Sequence, residues 1–173
     1  MSERGETLTP VAAILAGLLA GAAGTAAMDT LLYVRYRRGG GKEGAERWET
    51  SAGVSDWDQA PAPAQVGRKL VSGLFGVELP ASRARLVNNL THWGFGIASG
   101  AGYGILAGSL PKRHVLYGLP FGASVWAGGY VVLPAMKLYE PIWKYDAKTL
   151  ADDLSAHLLY GLATAASFEV LCA

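Results

Sequence analysis

The 173-residue chain is 51% hydrophobic and 17% charged, where soluble domains carry about 25% charged residues. Its net charge of +1 gives no basis for nucleic-acid binding, and its single cysteine, Cys172, excludes an intramolecular disulfide and reads as an incidental thiol. Mean hydropathy is +0.22, and the charges are segregated, so the apolar gaps can be measured against the roughly 20 helical residues that cross a bilayer core.

The first gap is Pro10–Val34. It could pass for a signal peptide, because "AGTAA" resembles a small-residue cleavage site. The preceding residues argue otherwise, with Arg4 set against Glu3 and Glu6. The basic cluster "RYRR" directly after the run also resists export, so the run reads as a retained helix. The next gaps are Leu90–Leu110, Val115–Met136 and Leu154–Ala173, the last interrupted by His157 and Glu169. Lipid offers no hydrogen-bond partners to the backbone, so such spans are helical. The expected fold is all-α: a polytopic membrane protein with a four-transmembrane-helix bundle in one membrane domain, 1–173, spanning about 10–34, 90–110, 115–136 and 154–173.

The connection over about residues 35–87 is the long one. "GGGKEG" reads as a flexible hinge. "PAQVGRKLVSGLF" puts Val66, Leu70 and Leu74 on one helical face, with Arg68 and Lys69 off it. That predicts a short amphipathic helix at about 64–75, on the inner leaflet or packed under the bundle. Trp48, Trp57, Tyr139, Trp143 and Tyr145 suit interface anchors. "LPKRH" is a short turn between the second and third runs.

Basic residues favour the cytoplasmic side. The first and third connections together hold twelve Lys and Arg, against three (Arg4, Lys112 and Arg113) on the other side. This orients both termini outward, with the long connection in the cytoplasm. Arg35, Arg37 and Arg38 then face the inner leaflet, where anionic lipid is the expected partner. The location this implies is a cell inner membrane, crossed several times.

Residues four apart share a helix face. The stripes are Gly17, Gly21, Thr25 and Asp29; then Asn88, His92, Gly96, Gly100, Gly104 and Gly108; then Gly118, Gly122, Trp126, Tyr130 and Pro134; then Asp153, His157, Gly161, Ala165 and Glu169. The glycines predict close helix packing, and the face on the second run leaves room for a homo-oligomer. The polar ends share a depth. Asp29 lies six residues before Arg35, roughly 9 Å by helix rise, and His92 seven residues past Arg85, roughly 10 Å. Tyr130 and His157 fall at similar distances from Lys137 and Lys148. Ionisable groups in lipid face the bundle interior and pair, so Asp29, Asn88, His92, Tyr130, Asp153 and His157 form the candidate polar cluster. Asp29, His92 and His157 are expected to converge.

"NNLTHWGFG" and "DDLSAHLLYG" resemble each other, with one residue inserted, and admit a parallel pseudo-repeat of two helical hairpins. The second half, about Asn88 to Glu169, also resembles the YagU-like family of small, uncharacterised inner-membrane proteins. The shared features are Thr91–His92, Gly102–Tyr103, "LPK" at Leu110–Lys112, Gly118, Gly122, Pro134 and His157–Leu158. The resemblance implies a bacterial inner-membrane protein and brings no established activity.

Three functions fit these residues. The one asking least is a buried network that fixes helix register, at about 0.6–2 kcal/mol per polar contact between membrane helices. A proton or ion site is the second, because intramembrane carboxylates and histidines build relays. The third is a bound metal, with His92, His157, Asp153 and Asp29 as candidate ligands, or a haem between His92 and His157. No sequence feature requires a cofactor. "GYG" at Gly102–Gly104 lacks the lead of a potassium filter. No nucleophile–base pair, phosphate loop or cysteine cluster supports an enzyme.

Overall fold

A computed structural model describes residues 8–110 and 114–173. Glu3, Arg4, Glu6, Pro111, Lys112 and Arg113, all used above, lie outside the described residues. Regular structure among the described residues is helical throughout: α1 (Pro10–Arg38), α2 (Ala45–Glu49), α3 (Ala62–Phe75), α4 (Ala84–Gly108), α5 (Gly118–Ala135) and α6 (Ala147–Leu171). Single 3-10 turns sit at Ala81–Arg83, Val115–Tyr117 and Ile142–Lys144.

Among the described residues, three stretches are long and apolar enough to cross a membrane: Pro10–Arg38, Val115–Ala135 and Ala147–Leu171. The fourth expected span falls in α4. That helix has 25 residues, but glycines at 94, 96, 100, 102, 104 and 108, together with Asn88, Asn89 and His92, dilute its apolar content.

Helix ends follow capping chemistry and overrun the apolar gaps. Pro10 occupies the first helical position of α1, and the Thr9 hydroxyl accepts from the Ala12 amide at 3.3 Å. At the other end Arg35, Arg37 and Arg38 complement the helix dipole, so α1 continues to Arg38. α6 begins at Ala147, before the apolar run, because the Asp146 carboxylate accepts from the Thr149 amide at 3.0 Å.

The chain forms two units. One holds the chain up to Met28 with Gly96–Gly128 and Asp146–Ala173. Here the helices meet backbone to backbone. A Cβ on Gly21 would lie 2.8 Å from the Gly100 Cα, and one on Gly17 would lie 2.9 Å from the Ala101 Cα. Gly104 and Gly108 continue this α1–α4 seam against Gly17 and Ala13. α5 and α6 meet similarly: a Cβ on Gly161 would lie 2.9 Å from the Gly122 Cα, and one on Gly118 would lie 2.8 Å from the Leu162 Cα. Thr25 fills the hollow at Gly96, and Thr164 the one at Gly24. Each threonine satisfies its hydroxyl on its own helix, at Gly21 O (2.9 Å) and Tyr160 O (2.8 Å). Tyr160 donates its phenol to Gly96 O at 2.7 Å. Ala20, Tyr103, Ala107, Ala165 and Phe168 form the apolar core, with Phe121 and Cys172 packed against it.

The other unit holds Asp29–Phe95 and Gly129–Tyr145. Its core is Trp57, Ala64 and Ala84, flanked by Val54, Ala60, Leu79 and Val87. The Trp57 indole donates to Leu79 O at 3.1 Å, and the Arg68 guanidinium lies 5.1 Å from the Trp57 ring centroid. Gly67 of α3 packs on Val87 and Thr91 of α4. The glycine-rich segment read as a hinge is folded: the Tyr36 ring covers Gly41, and its hydroxyl accepts from the amides of Lys42 and Glu43, both at 3.1 Å.

Candidate functional site

Asp29 stands one turn beyond Thr25 on α1, and His92 one turn before Gly96 on α4. His92 Nε2 lies 3.0 Å from Asp29 Oδ1 and 2.9 Å from Oδ2. A carboxylate only accepts, so Nε2 carries the proton and donates. Asp29 is 5% exposed, so this bond supplies what water cannot.

A third ionisable group reaches the pair from the connection. The carboxyl of Glu49, the last residue of α2, lies near enough to Asp29 to feel its charge, and its Oε1 accepts from the Trp93 indole at 2.9 Å. Burial, followed by the neighbouring Asp29 charge, pushes Glu49 above the ordinary glutamate range.

The residues after Glu49 are held by the same helix. Arg85 donates to Thr50 O and to Thr50 Oγ1, both at 2.8 Å. The side-chain amide of Asn89 donates to Thr50 O at 2.9 Å, and that of Asn88 donates to Ser51 Oγ at 2.8 Å. Arg85, Asn88, Asn89, His92 and Trp93 thus form one polar face along the first turns of α4. Apart from Asp29 on α1, its targets are presented by the C-terminal turn of α2. The Ser51 amide bonds Trp48 O and the Ala52 amide bonds Arg47 O, which closes the helix in a Schellman turn. Ser51 takes a φ of 49° there, a left-handed conformation that usually selects glycine.

The other candidates have different surroundings. Tyr130 meets the rings of Tyr139 and Tyr145 at 6.0 and 5.5 Å. His157 and Asp153 belong to the other unit, where His157 Nδ1 lies 2.9 Å from Asp153 O on its own helix and 3.7 Å from Asp153 Oδ1. Glu169 buries one carboxylate oxygen without a protein partner among the described residues. Among the described residues, no group of three or more His, Cys, Asp and Glu is arranged to hold a metal ion.

Glu49, Thr50, Ser51, Arg85 and Trp93 were not singled out by the sequence. The first three sit in a polar connection where no periodicity marks them. Trp93 carried a usable signal, because an indole N–H inside a membrane helix needs a partner.

The class is set by three helices long and apolar enough to cross a membrane among the described residues, as in a membrane protein. More narrowly, the chain belongs to the family described as "Protein of unknown function (DUF1440)", which matches residues 78–166. The match takes in His92, Tyr130 and His157, whereas Asp29 and Glu49 precede it. Comparisons with curated proteins and with solved structures give no match.

Proposed function

We propose that the protein is a four-span inner-membrane protein of the YagU-like kind, in which the Asp29–His92 layer locks helix register and docks the long connection. α4 is the second span. The connection lies in the cytoplasm with both termini outside, and anionic lipid gathers at Arg35, Arg37 and Arg38. The observation that carries this reading is the single polar face of α4. It bonds α1 through Asp29 and the connection through Glu49, Thr50 and Ser51. Such a face sets the rotation and depth of two helices and one loop together. The basic asymmetry of the connections supports the orientation, and the glycine face of α4 leaves room for a homo-oligomer.

One observation favours a second reading, proton translocation. Three ionisable groups gather here, with His92 bonded to Asp29 and Glu49 of the connection close enough to feel the Asp29 charge. Proton flux into liposomes separates the two readings. The register reading expects no flux above empty liposomes, and a His92→Ala protein that is less stable but still monodisperse. A flux carried by the wild type and abolished in folded His92→Ala protein would establish the proton reading instead.

A further inference from the structure

The connection helix α3 has two apolar faces, and only one is used inside the protein. Its small residues do the packing: Ala64 and Gly67 are buried, with Gly67 against Val87 and Thr91 of α4. Its large residues do not, since Leu74 and Phe75 are each 73% exposed and Leu70 is nearly half exposed. Isolated exposed leucines are ordinary, but a cluster of three at one helix end is not. Val77, just past the Gly76 turn, extends the patch.

The position of α3 identifies what covers this patch. Lys69 Nζ bonds the carbonyl of Met136, the residue that follows α5. α5 is part of a stretch apolar enough to cross a membrane and ends at Ala135. Lys69 therefore ties α3 to the level where that stretch stops, which is the boundary between hydrocarbon and water. The same unit presents Trp143, 78% exposed, between Ile142 and Lys144, as an interfacial aromatic should be. The charges on the helix itself are basic, Lys69 and Arg68, the latter also 3.7 Å from Glu78, and basic side chains suit lipid headgroups with their negative surface potential.

We propose that α3 lies in the plane of the membrane, with Leu70, Leu74 and Phe75 inserted at the headgroup–acyl boundary. The inference rests on the membrane-spanning reading of α5. Insertion turns an exposed apolar patch into buried area and anchors the connection that carries Glu49 to Ser51.

Nitroxide labelling of the full chain tests it. In a Cys172→Ser background, Leu74→Cys, Val132→Cys and Asp58→Cys are labelled separately. The proteins are reconstituted into phosphatidylcholine–phosphatidylglycerol vesicles. Collision rates with oxygen, which partitions into lipid, and with a water-soluble nickel chelate are then compared. The expected result is an oxygen-to-nickel ratio at Leu74 several-fold above that at the surface residue Asp58, approaching that at Val132 on α5. A water-like ratio at Leu74 with a lipid-like ratio at Val132 overturns the proposal and leaves the spanning reading intact. A label at Leu74 shielded from both reagents overturns it in favour of a protein cover, such as a second copy. A water-like ratio at Val132 removes the spanning reading, and the proposal with it.

Discussion

The two units solve the problem of holding helices together in opposite ways. In the glycine-seamed unit, α1 meets α4 and α5 meets α6 by removing side chains, so that backbones touch and the two buried threonine hydroxyls bond their own helices. In the unit containing Asp29, α1, α2 and α4 are joined by adding side chains, and each partner supplies a donor or acceptor. The first solution tolerates almost no added atoms. The second tolerates size but not loss of a polar group. In lipid, where apolar burial gives helices no advantage over the solvent, close packing and hydrogen bonds are what remain.

The largest expected effect comes from adding atoms to a seam. Gly100→Val sets side-chain carbons against the Gly21 backbone and should cost about 3 kcal/mol or more, since overpacking of this kind has no flexible neighbour to move. Gly102→Val is the control on the same helix, because nothing lies within 4 Å of a Cβ there. Its change should stay within about 0.5 kcal/mol. Unfolding in mixed detergent micelles measures both, and equal losses would erase the distinction between seam and open face.

Removing atoms from the polar unit should act less strongly. His92→Ala leaves the buried Asp29 carboxylate without its imidazole donor and should cost about 2 kcal/mol, the penalty of an unsatisfied buried group. Asn89→Ala removes one partly buried bond to Thr50 O and should cost about 1 kcal/mol. The same unfolding assay reports both, and a neutral His92→Ala would show that the pair contributes nothing to register.

The smallest effects are in the pH dependence, and they differ in sign between the units. Glu49 is raised above its ordinary value of 4.5 by burial and by Asp29. Its contribution is therefore fully present below that value and is lost as pH rises through the higher folded value. Asp146 is lowered from 3.8 by its hydrogen bonds to Thr149. Its contribution is present above 3.8 and lost as pH falls through the lower folded value. Glu49→Gln should flatten the first trend and Asp146→Asn the second. Stability followed from neutral pH downward in each variant checks the signs.

Much of the helical framework was legible because charge segregation is coarse. A bilayer core excludes charges over a whole span, and the gaps holding α1, α5 and α6 are long and apolar enough to cross one. Helix ends were not legible from hydropathy, because they are set locally: by Asp146 at the start of α6 and by three arginines at the end of α1. Asp29 and His92 stood out as ionisable groups inside apolar runs. Glu49 could not, since an acid in a polar connection looks like any solvated residue until the α2 turn carries it to Asp29. Asn88 and Asn89 were visible but ambiguous, because nothing in a helical stripe tells which loop will come to meet it. The glycine seams were visible as stripes, but the pairing of α1 with α4 and of α5 with α6 is a property of three dimensions.

The place of α6 in the chain has a consequence for biogenesis. It is synthesised after α1 and α4, yet it supplies Thr164 to the hollow at Gly24 and the phenol that satisfies Gly96 O. Until α6 follows them, α1 and α4 carry that groove uncovered. A nascent chain paused before Ala147 therefore exposes the Gly24 hollow and leaves Gly96 O without its phenol donor.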